Sequence, residues 1–161
     1  MTYQIVTENG RSSRGQKVSF SITVGLQEGY GDDGRLHTSE EVIAAYHAWA
    51  EARARQERPF LTGTATQGVV AYAYAWKNED GSVGGTGGGQ EPNIAFAGEL
   101  SHLYNEPLIA NLALAEEVLN ELASVLGTAT GQTRIYVSLG QENWVIQAEG
   151  KETPTGEGET V

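Results

Sequence analysis

Gly68-Val69-Val70-Ala71-Tyr72-Ala73-Tyr74-Ala75-Trp76 alternates without a break. Val70, Tyr72, Tyr74 and Trp76 fall on one side, and Val69, Ala71, Ala73 and Ala75 on the other. A period of two is that of a β-strand, whose alternate side chains point to opposite faces of a sheet. The stretch is a strand with one bulky aromatic face and one smooth small face. Neither face is polar, so both are expected to be covered.

Three further segments read as strands and set the phase against which this one is judged. Over 17–27, Phe20, Ile22, Val24 and Leu26 alternate with Ser19, Ser21, Thr23 and Gly25. Over 94–101, Ile94, Phe96, Gly98 and Leu100 alternate with Ala95, Ala97 and Glu99. Over 134–139, Ile135, Val137 and Leu139 alternate with Arg134, Tyr136 and Ser138. In each the large apolar residues take one side, so by the same rule Val70, Tyr72 and Tyr74 are expected in the core. The alanine row would then join Ser19, Ser21, Thr23, Gly25, Ala95 and Ala97 on the opposite face. That face is small and weakly apolar, which permits a second sheet to approach closely. A homodimer or higher oligomer packed through it is expected.

Two helices alternate with these strands. Thr38 and Glu41 have the spacing of a capping box that starts the first helix, and Pro59 stops that helix. Val42, Ile43, Tyr46, Trp49 and Ala50 form its apolar stripe. Leu114, Val118, Leu119, Leu122, Val125 and Leu126 form a wider stripe over 111–126, with Gly127 as its terminator. A short strand is expected over 3–6 and a turn over 8–15. Loops are expected over 27–34, 77–90 and 102–110, and a hairpin over 140–149. The order strand, helix, strand, strand, helix, strand predicts an α+β fold of the ferredoxin-like split β-α-β-β-α-β type, with an antiparallel sheet, two helices on one face and extra terminal strands. The element order is similar to that of ferredoxin-like families such as the CutA-like trimers and small dimeric α+β barrels. No diagnostic motif of these families occurs, so no functional residue is carried over. The 161 residues suit a single domain over 1–149, followed by a disordered acidic tail over 150–161.

Composition narrows the function classes. The formal net charge is −11 with ten Lys and Arg, which argues against nucleic acid as a partner. There is no cysteine, hence no disulfide, thiolate metal site or cysteine nucleophile. No apolar run approaches a membrane span and no signal peptide is read, so no membrane partner and a cytoplasmic location are expected. The glycines at 84–89 are not succeeded by a helix or by a Lys-Ser/Thr pair, so they read as a hairpin loop and not a phosphate loop. His37, His47 and His102 lack metal-ligand spacing. His37 and His102 read as surface residues and His47 as half-buried, and no metal or cofactor is expected. Asp32 and Asp33 lie in a loop too mobile for paired-carboxylate chemistry.

The polar groups at strand ends remain. Arg134 and Tyr136 share a small, smooth face, where a guanidinium can hold an anion and a ring can stack on a planar group. With Gln27, Glu28, Trp76, Glu99 and His102 they form the candidate ligand-binding set. The expected function is non-enzymatic binding of a small anionic or planar, nucleotide-like metabolite by an oligomer, in the manner of a sequestering or sensing protein or a virus-encoded anti-defence sponge. One alternative is a small acid–base enzyme using His102 with Glu99 or Glu28; another is a purely structural interaction module.

Overall fold

The computed structural model describes residues 1–29 and 33–150. Tyr30, Gly31, Asp32 and the tail from 151 onward lie outside the described residues, and with them the Asp32–Asp33 pair and nearly all of the expected acidic tail.

The fold is α+β. A two-stranded hairpin (β1, Thr7–Glu8; β2, Arg11–Ser12) precedes β3 (Ser19–Gly25), α1 (Ser39–Arg55), β4 (Thr64–Lys77) and β5 (Val83–Glu99). Then come α2 (Glu106–Ala110), α3 (Leu112–Ala129), β6 (Arg134–Leu139) and β7 (Glu142–Gln147). The main sheet is antiparallel throughout, in the order β4-β5-β3-β6-β7. β5 therefore lies between β3 and β4, and β3 between β5 and β6.

The core lies on one side of this sheet. Phe20, Ile22 and Val24 of β3, Ile94 and Phe96 of β5, and Ile135, Val137 and Leu139 of β6 are buried there. They meet Val42 and Trp49 of α1 and Val118, Leu119, Leu122 and Leu126 of α3. The α1 start is the expected one: Glu41 N–H donates to Thr38 Oγ1 and Thr38 N–H donates to Glu41 Oε2. Ile43, expected on the apolar stripe, is exposed, and so is His47.

Several sequence expectations are corrected. Residues 3–6 form no strand; the hairpin instead turns at Asn9 and Gly10, both with positive φ, as a two-residue Asn-Gly turn favours. The expected loop over 102–110 contains α2. Gly127 does not terminate α3 but lies inside it, where a Cβ would come within 2.1 Å of Ile135 Cδ1. Its absent side chain lets the helix approach β6. The left-handed residue that ends α3 is Gly131 (φ 64°), with Gln132 N–H donating to Gly127 O and Gly131 N–H to Thr128 O. That is the Schellman arrangement, displaced four residues along the chain.

The largest correction concerns the aromatic strand. β5 meets β3 only from Asn93 to Glu99, yet it pairs with β4 from Val83 to Ala97. Residues 69–77 and 83–92 therefore form a two-stranded ribbon beyond the sheet, roughly 30 Å long at the usual rise per residue. The glycine-rich run is part of this ribbon, not a loop. Its phase is also the reverse of that expected. Ala65 opposes Phe96 and Gln67 opposes Ile94, so odd-numbered residues of β4 share the helix side. Val70, Tyr72, Tyr74 and Trp76 therefore share the side away from the helices and are exposed, and no core extends far enough to cover the alanine row. The aromatic rings instead lie over glycines of the opposite strand. Trp76, Tyr74 and Tyr72 oppose Gly85, Gly87 and Gly89, and a Cβ at those glycines would meet the rings at 2.2, 2.6 and 2.9 Å. Such cross-strand pairs contribute roughly 0.2–1 kcal/mol each, and rings covering bare glycine backbone hold the ribbon's register.

One ion cluster ties α1 to α3 on the helical side. Arg53 is buried; its Nε donates to Pro59 O, its Nη1 to Glu121 Oε2, and Trp49 Nε1 to Glu121 Oε1. Partial burial pushes the Glu121 carboxyl up. The hydrogen bonds from Arg53 and Trp49 and the charges of Arg53 and Arg58 outweigh it and hold the group below the ordinary carboxylate range. A depressed folded-state value stabilises the fold above the unfolded value, and that contribution is lost as pH falls through the folded one. Glu121→Gln should therefore lower stability in urea titrations above about pH 5, with the gap from wild type closing on acidification.

Candidate functional site

The candidate site lies on the face away from the helices, where the ribbon leaves the sheet. Ser19, Ser21 and Thr23 of β3, Ala95 and Ala97 of β5, and Tyr136 and Ser138 of β6 share this face. Ser21 and Ser138 share a hydrogen bond of 2.6 Å between their hydroxyls. Small residues make the centre of the face shallow, and taller side chains stand around one end of it. A cavity of about 330 Å³ opens there, lined by Thr23, Gly25, Gly29, Val70, Tyr72, Glu91, Asn93, Gln132, Thr133, Arg134 and Tyr136 among others.

Each contribution has a local cause. Ile135 and Val137 are buried, so Arg134 and Tyr136 must point the other way. Tyr72 and Glu91 arrive on the same side through the ribbon register, Tyr72 opposite Gly89 and Val70 opposite Glu91. The cap at Gly131 turns the chain so that Gln132 Nε2 donates to Gln27 O at 2.7 Å and to Thr130 O at 3.2 Å. A Cβ at Gly25 would lie 2.6 Å from Gln132 Oε1, so glycine is what allows that amide to settle against β3.

The donor set suits a small, partly planar ligand. Tyr72 and Tyr136 offer ring faces, and both are substantially exposed. Arg134 brings a fixed positive charge, with its Nε donating to Gln147 Oε1 at 3.1 Å. Glu91 adds a carboxylate that accepts hydroxyl hydrogen bonds or faces a cation, and Asn93 offers both donor and acceptor. Among the described residues, no group of three or more His, Asp or Glu side chains is placed to hold a metal ion, and no helix is long and apolar enough to cross a membrane.

The structure divides the sequence-derived candidates among three places. Arg134 and Tyr136 line the cavity. Gln27 does not line it but accepts through its carbonyl from Gln132, which does, and the Glu28 carboxylate is turned onto His37 Nε2 at 2.6 Å. Trp76 lies farther out on the ribbon, over Gly85. Glu99 and His102 stand at the opposite end of the sheet, because β5 runs antiparallel to β3 and Glu99 pairs with Ser19. There Glu99 meets Lys17 at 3.1 Å, and His102 Nε2 lies 2.7 Å from Gln16 O. The length of the sheet thus separates His102 and Glu99 from both Glu28 and His37. His37 is no surface residue: it is 5% exposed.

Sequence reasoning misses Thr23, Tyr72, Glu91, Asn93 and Gln132. Phase by size puts Tyr72 in the core, and Glu91 and Asn93 flank Pro92 in a stretch that resembles a loop. A second and larger cavity, about 810 Å³, adjoins Glu99 and includes Arg58, Phe60, Tyr104 and Asn105. Its Asn105 is occupied in holding loops: Asn105 Nδ2 donates to Phe60 O and its Oδ1 accepts from Ser101 N–H.

No known family profile matches the chain, and no curated protein matches it. Among solved structures, the chain is similar to a phage SAM lyase in its apo state, with 16% identity over 84% of this chain and 92% of that chain and a TM-score of 0.48. It is also similar to a phage SAM lyase in complex with S-methyl-5'-thioadenosine, with 22% identity over 86% of this chain and 95% of that chain and a TM-score of 0.54. The latter likeness is one of fold and extends over nearly all of the neighbour.

The ribbon's contribution to the site is separable from the core. Gly87→Val should push the Tyr74 ring off its strand, changing the near-ultraviolet circular dichroism. The melting temperature should fall by about two to four degrees at most, since half-buried Gly87 lies under a single ring whose cross-strand pair contributes roughly 0.2–1 kcal/mol.

Proposed function

We propose that the chain binds a small adenine nucleoside carrying a thioether or sulfonium group, in the cavity between the ribbon and β6. The observation that carries this reading is the convergence of Tyr72, Tyr136, Arg134, Glu91 and Asn93 on one cavity of about 330 Å³. Two rings suit a purine, with stacking contributing about 1–3 kcal/mol per base. Glu91 and Asn93 suit ribose hydroxyls and amino groups, and a carboxylate beside tyrosine faces also suits a sulfonium cation. The fold likeness to a phage lyase solved with S-methyl-5'-thioadenosine supports the choice of probe. Binding without turnover is sequestration of a metabolite, the role of a virus-encoded sponge. A second reading, favoured by the Glu91 carboxylate in the cavity and by the same likeness, is cleavage of S-adenosylmethionine.

Isothermal titration with S-methyl-5'-thioadenosine tests the site. Wild type should bind, and Tyr72→Ala or Arg134→Ala should weaken binding by about 1–3 kcal/mol. Heat no greater than that of dilution would overturn the reading. Chromatography of S-adenosylmethionine incubated with the protein separates the two roles: accumulation of S-methyl-5'-thioadenosine favours cleavage, and unchanged substrate favours sequestration.

We further propose that the protein assembles as a homo-oligomer through the face bearing Ser19, Ser21, Ala95 and Ala97, whose small side chains permit close approach of a second sheet. Exposed Tyr74 and Trp76, on the same side of the ribbon and outside the cavity lining, enlarge the surface that such an assembly would cover. Light scattering at micromolar concentration should give a mass of at least two chains, and Ala97→Arg should return it to one; a monomeric wild type would sink the proposal.

A further inference from the structure

The most unusual polar group outside the cavity lining is the buried imidazole of His37. It lies between β3 and α1, with Nε2 2.6 Å from Glu28 Oε1 and Nδ1 3.2 Å from Glu41 Oε2. Both ring nitrogens therefore face carboxylates. A neutral imidazole carries one N–H and can donate to only one of them, leaving the other nitrogen's lone pair against a carboxylate oxygen. An imidazolium donates to both. Glu41 is already committed as an acceptor. The N–H of Thr38 is the largest influence holding its carboxyl below the ordinary range, partial burial opposes it, and Arg35 and His37 add to the lowering. The positive end of α1 disfavours a cation nearby, and Glu40 and Glu41 in its first turn offset this.

The far side of this cluster reaches the cavity. Backbone bonds from Glu28 N–H to Arg35 O and from His37 N–H to Leu26 O make a short ladder at the root of the loop. Gly29, next to Glu28, lines the cavity. The Glu28 side chain also lies over Gly131, where a Cβ would meet its Cγ at 2.8 Å, and the adjacent Gln132 is a cavity wall. The charged groups bonded to the cluster among the described residues are Glu28, Glu41 and Arg35; the turn 130–133 (Thr-Gly-Gln-Thr) has no titratable side chain.

We propose that His37 is a positioning residue whose protonated ring draws Glu28 and Glu41 together, fixes the cavity wall at Gly29 and Gln132, and makes ligand binding dependent on proton uptake. This rests on the nucleoside-binding reading of the same cavity, but the clamp itself is measurable without ligand. When the ring loses its second proton, the Glu28 contact turns repulsive and the wall is released. Binding strengthens wherever His37 is protonated and weakens as pH rises through its titration.

Glu28→Gln is the discriminating variant. Its amide can donate to the unprotonated Nε2 while Nδ1–H serves Glu41, so a neutral ring is satisfied on both sides. Affinity for S-methyl-5'-thioadenosine in wild type should fall about tenfold between about pH 6 and pH 8.5, the size of one charged hydrogen bond lost. In Glu28→Gln it should stay level over that range. His47 and His102 are unchanged in the variant, so the difference isolates His37. In the ligand-free protein, ¹⁵N spectra should show both His37 ring nitrogens protonated at pH 6, and the Gly29 and Gln132 amide signals should move with the ring titration in wild type only. The same pH profile in both proteins, or a ring with one N–H at pH 6, would overturn the clamp. Wild type that binds no nucleoside, yet shows the coupled amide shifts, would instead overturn the ligand reading and leave the clamp standing.

Discussion

Fourteen residues of β4 pair with β5, but β3 meets β5 only through its last seven. The chain must therefore carry a two-stranded ribbon past the edge of its own core, and that pairing governs much else. It places Ala65 and Gln67 opposite Phe96 and Ile94 and so turns the aromatic row away from the helices. It makes the glycines of β5 necessary, because the Trp76 and Tyr74 rings occupy the space their side chains would take. A one-residue slip would move every side chain of the ribbon to the other face. The rings lying over glycine oppose that slip where no core does.

The candidate cavity is a product of the same geometry. A sheet face lined with serine, threonine and alanine has little relief of its own. The ribbon supplies one wall, with Tyr72 and Glu91, and β6 supplies the other, with Arg134 and Tyr136. Between them the cap at Gly131 brings Gln132 against the Gln27 carbonyl. A chain with formal net charge −11 repels anions at long range. A neutral or cationic ligand is thus a better match to the charge of the whole molecule than a polyphosphate.

Much of the helical layer and three strand phases were legible in the sequence. Thr38 and Glu41 marked a helix start because a capping box depends on neighbours three residues apart. Phe20, Ile22 and Val24 marked a core face because the polar residues between them could only point outward. The aromatic strand lacked that contrast: both its faces are apolar, so composition could not assign its phase, and size was a misleading guide. The glycine run had the composition of a loop, and only its partner strand explains its extended form. Gly127 looked like the helix terminator, and the nearness of Ile135 shows it to be a packing glycine, with the cap falling to Gly131. Of the two carboxylates at His37 only Glu41, four residues on, was within local reach, since Glu28 comes to it across a loop.

By itself, then, the sequence determined the α+β class, the two amphipathic helices, the core faces of β3, β5 and β6, and the outward placement of Arg134 and Tyr136. These depend on periodicity and on contacts a few residues apart. Tertiary structure alone decided where the helical layer ends, which way the aromatic row faces, which strand ends share a cavity and what surrounds His37. Each of those depends on register between segments distant in the chain, and register is a property of the pair of strands, not of either one.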